Sequence, residues 1–138
     1  MMERIDNWPK QYNQFFRERE GVPFAWGKHD CALFAADGFK AITGVDLAEE
    51  WRGKYRSLRG AMGVIERNGG TLWGFADDRL ERIPVALAQR GDVVWLDQEG
   101  PFDGALGMVA PGGVQAGFPG KVGIVLAPLT SCSMAWRV

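Results

Sequence analysis

The spacing of apolar residues changes character near residue 90 of this chain. Before that point the apolar positions recur at helical intervals, and after it they form short runs separated by turn residues. In residues 8–20 an aromatic stripe repeats at spacings of four, three and one, with charges between its members: Trp8, Tyr12, Phe15 and Phe16. This pattern predicts an amphipathic helix that packs its aromatic face on the rest of the protein.

A second helix is predicted to begin near Asp30, after Gly21-Val22-Pro23 has ended the first. Aspartate is a favoured N-cap residue, and an apolar run follows it directly. The helix is expected to run to about Thr43, where Gly44 supplies a left-handed stop. Cys31 would then lie in the first helical turn.

Shorter helices are expected in the segment that follows. Asp46 is predicted to cap a short helix that includes Trp51, and Ser57 to cap another that runs through Glu66. Residues 71–76 are expected to add one more turn. The first 80 residues are therefore predicted to be mainly helical.

The remainder is predicted to form strands, because β-rich runs alternate with Gly, Pro and Asp turns. The predicted strands are 92–96, 105–109, 113–117, 121–126 and 134–138. Helices followed by strands indicate one α+β domain, in which N-terminal helices pack on a C-terminal antiparallel meander or small barrel. Its expected parts are an N-terminal helix (1–21), a helical part (22–80) and a β part (90–138).

Composition excludes several classes of function. The chain has 138 residues, 46% of them hydrophobic, which is enough for one domain with a real core. Because 16 Lys and Arg balance 17 Asp and Glu, no strong field is available to attract nucleic acid or an anionic membrane. The start of the chain is polar and no apolar run is long enough to span a bilayer, so we expect a soluble protein made in the cytoplasm without a signal peptide.

Cysteine and histidine are scarce. Cys31 and Cys132 are the only cysteines and His29 is the only histidine, so the residues do not form a zinc-binding spacing, and no metal or other cofactor is expected. A chain of this size with a full core needs no disulfide framework, and both cysteines are interpreted as free thiols.

The stretch Trp26-Gly27-Lys28-His29-Asp30-Cys31 carries the strongest chemical signal. A thiol at the start of a helix faces unpaired N–H groups and partial positive charge, which favour the thiolate. The alternative is a cysteine that only packs beneath the helix. His29 lies two residues before Cys31, a separation at which side chains normally diverge. It is either a base folded back onto the sulfur or a residue that makes a local backbone hydrogen bond or is simply exposed.

The order of motifs resembles the NlpC-like cysteine peptidases, compact papain-fold enzymes of bacteria and phage tails that cleave cell-wall peptides. The resemblance covers roughly residues 22–126 and depends most on Asp30-Cys31 and Gly91-Asp92. It implies a papain-like fold in which Cys31 occupies the nucleophile position.

The same resemblance implies that the catalytic relay is incomplete. The family's base histidine opens a strand, and that position aligns with Ala105. The third polar position falls near Gln115 or Gly117, neither of which has an imidazole at Ala105 to orient.

Three functions follow as hypotheses. The first is a structural protein of a phage, prophage or gene-transfer particle, placed at the tail tip or hub with other tail proteins as partners and catalytically impaired by Ala105. The second is an active cysteine endopeptidase or amidase that cleaves peptidoglycan peptides through Cys31. The third is a ligand-binding or regulatory module that uses the former active-site cleft of the peptidase fold.

Overall fold

The computed structural model describes residues 3–138. Met1 and Met2, the first residues of the predicted N-terminal part, lie outside the described residues. The protein has α+β architecture, with helices in the N-terminal part and a six-stranded antiparallel sheet in the C-terminal part. The helices are α1 (Trp8–Arg19), α2 (Cys31–Thr43), α3 (Leu58–Arg67) and α4 (Leu72–Asp77).

The strands form an open sheet with the order β1-β6-β2-β3-β4-β5. Their bounds are β1 (Glu81–Ile83), β2 (Val93–Asp97), β3 (Gly104–Val109), β4 (Gln115–Pro119), β5 (Ile124–Pro128) and β6 (Met134–Arg137). Strands β2 to β5 follow one another as a meander, whereas β6 returns to pair with both β2 and β1. The sheet thus confirms the antiparallel arrangement and adds β1, which the sequence pattern did not predict.

Helices α1 and α2 lie where the sequence predicts them, and local signals fix the ends of α2. The Asp30 carboxylate accepts a hydrogen bond from the backbone N–H of Leu33 at 3.0 Å, and Gly44 ends α2 with φ of 80°. Ser57 and Thr71 cap α3 and α4 in the same manner. Capping side chains stabilise helix ends because they satisfy N–H groups that have no partner within the helix.

The segment after α2 differs from its prediction. Residues 47–53 form a series of turns rather than a helix. Asp46 accepts a hydrogen bond from the backbone N–H of Ala48, but the same carboxylate also binds the guanidinium of Arg52 through two hydrogen bonds of 2.9 Å. Arg52 in turn forms an ion pair with Asp37 of α2 at 2.7 Å. These contacts hold the turns against α2 and fix the position of Trp51.

The sheet separates two apolar clusters. One cluster lies between the helices and the sheet and contains the side chains of Leu106 and Met108 from β3. The other lies on the opposite face, beneath the 3-10 turns Val85–Leu87 and Leu129–Ser131, and includes Val94 and Val109. Helix α1 is attached to the first face by Tyr12, whose buried hydroxyl donates a hydrogen bond to the carbonyl of Val109.

Asp92 fixes the end of the chain against the start of the sheet. This fully buried residue accepts hydrogen bonds from the backbone N–H groups of Gln89 and Val138, both at 2.9 Å. The guanidinium of Arg4 donates to the carbonyl of Val138. Asp92 therefore holds backbone N–H groups at the turn that precedes β2.

Candidate functional site

Cys31 is the first residue of α2, and its position is fixed by the loop before it. Besides capping α2, the Asp30 carboxylate accepts hydrogen bonds from the backbone N–H of Gly27 at 2.9 Å and from the hydroxyl of Tyr55 at 2.5 Å. Gly27 has a φ of 78°, and a Cβ at this position would lie 2.0 Å from the carbonyl oxygen of Tyr55. Only glycine fits here, because it alone combines a left-handed conformation with so close a backbone approach.

The sulfur of Cys31 lies at a gap in the sheet. Strand β3 pairs with β4 only at Met108 and Val109, so its first half is free on that side. The backbone N–H groups of Leu106, in this free half, of Ala32 and of Cys31 itself lie close enough to the thiol to lower its pKa. The thiol thus lies between the start of α2 and β3.

Burial dominates the acidity of this thiol. It raises the pKa of Cys31 to about 12, and the charge of Asp30 acts in the same direction. The three backbone N–H groups lower the pKa, but they do not offset the loss of hydration. A thiol in this state holds its proton at neutral pH and is a poor nucleophile.

The imidazole of His29 forms no hydrogen bond with Cys31. Its side chain is only 4% exposed, its ring packs edge-on against Phe34 with centroids 5.7 Å apart, and neither ring nitrogen has a hydrogen-bond partner among the described residues. Burial and the neighbouring Arg19 lower the pKa of His29. The imidazole is neither exposed nor hydrogen-bonded, so it differs from both local roles that the sequence suggests for it.

Ala105 lies on the other face of the sheet. It pairs with Leu96 of β2 and packs on the cluster that contains Val94 and Val109, whereas its neighbour Leu106 belongs to the cluster beneath the helices. Successive side chains of a strand point to opposite faces. In this register a side chain at position 105 is therefore directed away from Cys31, and the identification of Ala105 as the vacant base position does not fit the geometry.

Gln115 is also separated from the sulfur. It is exposed and opens β4, one residue before the pair that Ala116 forms with Val109. The corresponding position on β3 is four residues from Leu106, which is roughly 13 Å along a strand. The structure does not bring Cys31, His29, Ala105 and Gln115 together.

Cys31 instead lines a small, tight aromatic cavity with room for about one water molecule. Its other walls include Trp26, Trp51, Tyr55, Ile65, Leu72 and Phe102. None of these was predicted to belong to a site, because they come from separate loops and helices that only the tertiary fold brings together. The six tryptophans of the chain were the available signal, since tryptophan is enriched at binding surfaces, but composition does not say which of them meet.

Within residues 3–138, no three His, Cys, Asp or Glu side chains converge as ligands of a metal ion. Both cysteines are free, as predicted. No helix in the same range has the length and apolar character needed to cross a bilayer.

Comparison with known families gives one match. The family model for DUF6950, described as a domain of unknown function, matches residues 3–138. The chain belongs to the DUF6950 family. No curated protein matches the sequence, so the possible functions of this DUF6950 chain must be judged from its own geometry.

Proposed function

We propose that this DUF6950 chain is a structural component of a phage, prophage or gene-transfer particle, placed at the tail tip or hub and built on an NlpC-like fold that does not catalyse hydrolysis. The observation that carries the non-catalytic part is the environment of the Cys31 sulfur. The sulfur is protonated at neutral pH because burial raises its pKa to about 12, and no imidazole nitrogen among the described residues binds it.

The chemistry of peptide hydrolysis explains why this environment matters. A cysteine peptidase needs a base that removes the thiol proton and an acid that returns a proton to the leaving amine. Losing such a group costs about 10²- to 10⁴-fold in rate. The only histidine of the chain is buried against Phe34, so no imidazole is available for either step.

The scaffold itself supports the NlpC-like part of the proposal. A cysteine opens a helix that packs on an antiparallel sheet, and the Asp30-Cys31 and Gly91-Asp92 motifs lie at the start of that helix and just before β2. The particle context follows from the resemblance to phage-tail members of the peptidase group. Tail proteins also supply the natural class of partner for this role.

Incorporation into particles tests the proposal. Particles from a host that carries this gene would be purified and probed for the chain by mass spectrometry, with wild type beside Cys31→Ala. We expect both forms in the particles at equal abundance, because assembly does not use the thiol. Absence of the wild-type chain from purified particles would overturn the structural role. Loss of Cys31→Ala alone would show that assembly does use the thiol.

A second candidate function is an active cysteine endopeptidase or amidase that acts on peptidoglycan peptides. The observation that favours it is the set of backbone N–H groups at the sulfur, from Leu106, Ala32 and Cys31. Such groups are also what stabilises a developing oxyanion during acyl transfer. This candidate requires a base from another molecule or a rearrangement of the loop that holds His29.

A further inference from the structure

The segment 25–29, just before α2, folds back on itself. Ala25 and His29 exchange two backbone hydrogen bonds, of 2.8 and 3.2 Å, which close the segment into a tight turn. One further bond, from the N–H of Gly27 to the carboxylate of Asp30, joins the turn to the start of α2. The turn can therefore move as a unit without breaking the hydrogen bonds inside it.

His29 is the side chain that holds this segment against the rest of the protein. It is the one buried residue of the segment, whose other members are half-buried or exposed. Its ring packs edge-on against Phe34 of α2. Because a segment with few buried contacts opens more easily than the whole protein unfolds, the closed position depends most on the packing of this imidazole.

The closed position offers no acceptor to a protonated imidazole. A neutral ring carries one proton and mild acid adds a second, but both ring nitrogens of His29 are buried without a hydrogen-bond partner among the described residues. The neighbouring carboxylates are already occupied. That of Asp30 accepts three hydrogen bonds, and that of Asp37 forms ion pairs with Arg19 and Arg52.

The charged groups around the ring come from each element packed against it. Arg19 belongs to α1, Asp37 to α2, and Asp30 lies beside His29 in the chain. Burial is the main cause that lowers the pKa of His29, and Arg19 adds to it, against smaller opposite effects of the two carboxylates. The imidazole therefore gains a proton most easily where it reaches water, outside its present position.

We infer that residues 25–29 move outward when the imidazole of His29 takes a second proton, and that mild acid thereby exposes Cys31. Trp26, which belongs to the same segment, lines the tight cavity at Cys31. The movement removes this wall of the cavity and uncovers the thiol. The inference rests on the packing of the segment and is independent of the function proposed above.

Hydrogen exchange of the full chain tests the inference. Exchange of backbone amides would be followed by NMR between pH 7.5 and 5.5 and corrected for the intrinsic exchange rate at each pH. The reporters are the amides of Lys28 and His29, which both donate to the carbonyl of Ala25. Below pH 6.5 we expect their protection to fall by up to about tenfold per pH unit.

Low concentrations of urea separate this movement from unfolding of the whole protein. Opening of a short segment exposes little surface, so exchange at Lys28 and His29 should respond weakly to urea. The amide of Phe39, a fully buried residue in the middle of α2, is the reference. It should be better protected at every pH and should respond strongly to urea.

Variants assign the response to the imidazole. His29→Phe and His29→Gln both remove the titrating group, so either one that folds should lose the dependence on pH. Lys28→Gln, at an exposed residue of the same segment, is the control and should keep it. Arg19→Gln frees an oxygen of Asp37 as an acceptor near the ring, so its response to acid should be smaller than that of wild type.

Alkylation measures the exposure of Cys31. Wild type and His29→Gln, both with Cys132→Ser, would be treated with iodoacetamide at each pH. The ratio of their rates cancels the common dependence of the thiolate on pH. We expect this ratio to rise below pH 6.5 by up to about tenfold per pH unit, in step with the exchange at Lys28.

Three results would overturn the inference. The first is exchange of the Lys28 and His29 amides with the same protection and urea dependence as Phe39, which would mean that only the whole protein opens. The second is an undiminished response to acid in the folded His29 variants. The third is an alkylation ratio that stays constant with pH, which would mean that Cys31 is not uncovered.

Discussion

The hydroxyl of Tyr55 donates a hydrogen bond of 2.5 Å to the carboxylate of Asp30, the residue that caps the helix of Cys31. The two residues lie 25 positions apart in the chain. This bond joins the turns after α2 to the loop before it, and so it sets the geometry of the cavity wall. Burial is the main reason that the pKa of Tyr55 is raised, and the nearby charge of Asp30 adds to it.

Removing this hydroxyl should cost stability. Hydrogen bonds to charged groups contribute about 1.5 to 3 kcal/mol, so Tyr55→Phe is expected to lower the free energy of unfolding by that amount in urea titrations. Tyr12→Phe, at the only other tyrosine, is the matched control. It removes a bond to the carbonyl of Val109, which keeps a second bond from the N–H of Gly91, and should cost less. An equal or larger loss in the Tyr12 variant would contradict this assignment.

A methyl group at Gly27 should disturb the same junction. Gly27→Ala combines a left-handed φ with a Cβ that would lie 2.0 Å from the Tyr55 carbonyl, so we expect a loss of about 2 to 4 kcal/mol. Gly53→Ala isolates the contribution of backbone strain, because Gly53 has φ of 79° and no neighbouring atom lies within 4 Å of the place that its new methyl group would occupy. The control should lose only about 1 to 2 kcal/mol. Equal losses in thermal denaturation would mean that the close approach to Tyr55 does not matter.

Stability should fall in mildly acidic solution because of His29. Above its ordinary pKa of 6.5 the imidazole is neutral in both the folded and unfolded states. Burial and Arg19 lower the pKa in the folded protein, against smaller opposite effects of Asp37 and Asp30. Below pH 6.5 the unfolded state therefore binds a proton that the folded state resists, and the free energy of unfolding falls by at most about 1.4 kcal/mol per pH unit.

The measurement is urea denaturation at several pH values between 7.5 and about 5, above the range in which most carboxylates titrate. His29→Phe keeps a ring against Phe34 and has no proton to bind. We expect this variant to show a flatter dependence on pH than wild type over the same range. Parallel curves for the two proteins would show that His29 does not cause the effect.

Cys31 should react slowly with alkylating reagents. At pH 8, a pKa of about 12 in place of the ordinary 9.0 lowers the thiolate fraction by roughly 10³-fold. The rate of reaction with iodoacetamide, followed by mass spectrometry in a Cys132→Ser background, should fall accordingly below that of the same variant unfolded in guanidinium. A folded rate equal to or above the unfolded rate would identify an activated thiol. Cys132 is removed because it too is a thiol, with its own pKa raised by burial to about 11.

The sequence predicts the parts of this fold that depend on local contacts. Helix α2 begins and ends as predicted because Asp30 caps it and Gly44 stops it, and both effects act within a few residues. The turns after α2 escaped prediction because Asp46 binds Arg52, a contact that competes with a helix cap. Strands β4 and β5 begin two and three residues later than predicted, because the spacing of apolar residues does not determine where a turn ends and a strand begins.

The candidate site could be predicted only at Asp30 and Cys31. The resemblance to the peptidase family predicts Ala105 near the thiol. The register of a strand determines which face of the sheet a residue occupies, and a shift of one position moves the residue to the other face. Tyr55, Trp51 and Phe102 reach the cavity from three separate segments. These side chains come together through long-range packing, which the pattern of residue types along the chain does not predict.

If the thiol of Cys31 performs no hydrolysis, as we propose, wild type and Cys31→Ala should not differ in the release of new amino groups from purified peptidoglycan. Equal amounts of the two folded proteins would be incubated with the substrate at neutral pH and compared with buffer. We expect both proteins to be indistinguishable from buffer. A wild-type rate above that of Cys31→Ala would contradict it and establish the chain as a cysteine hydrolase.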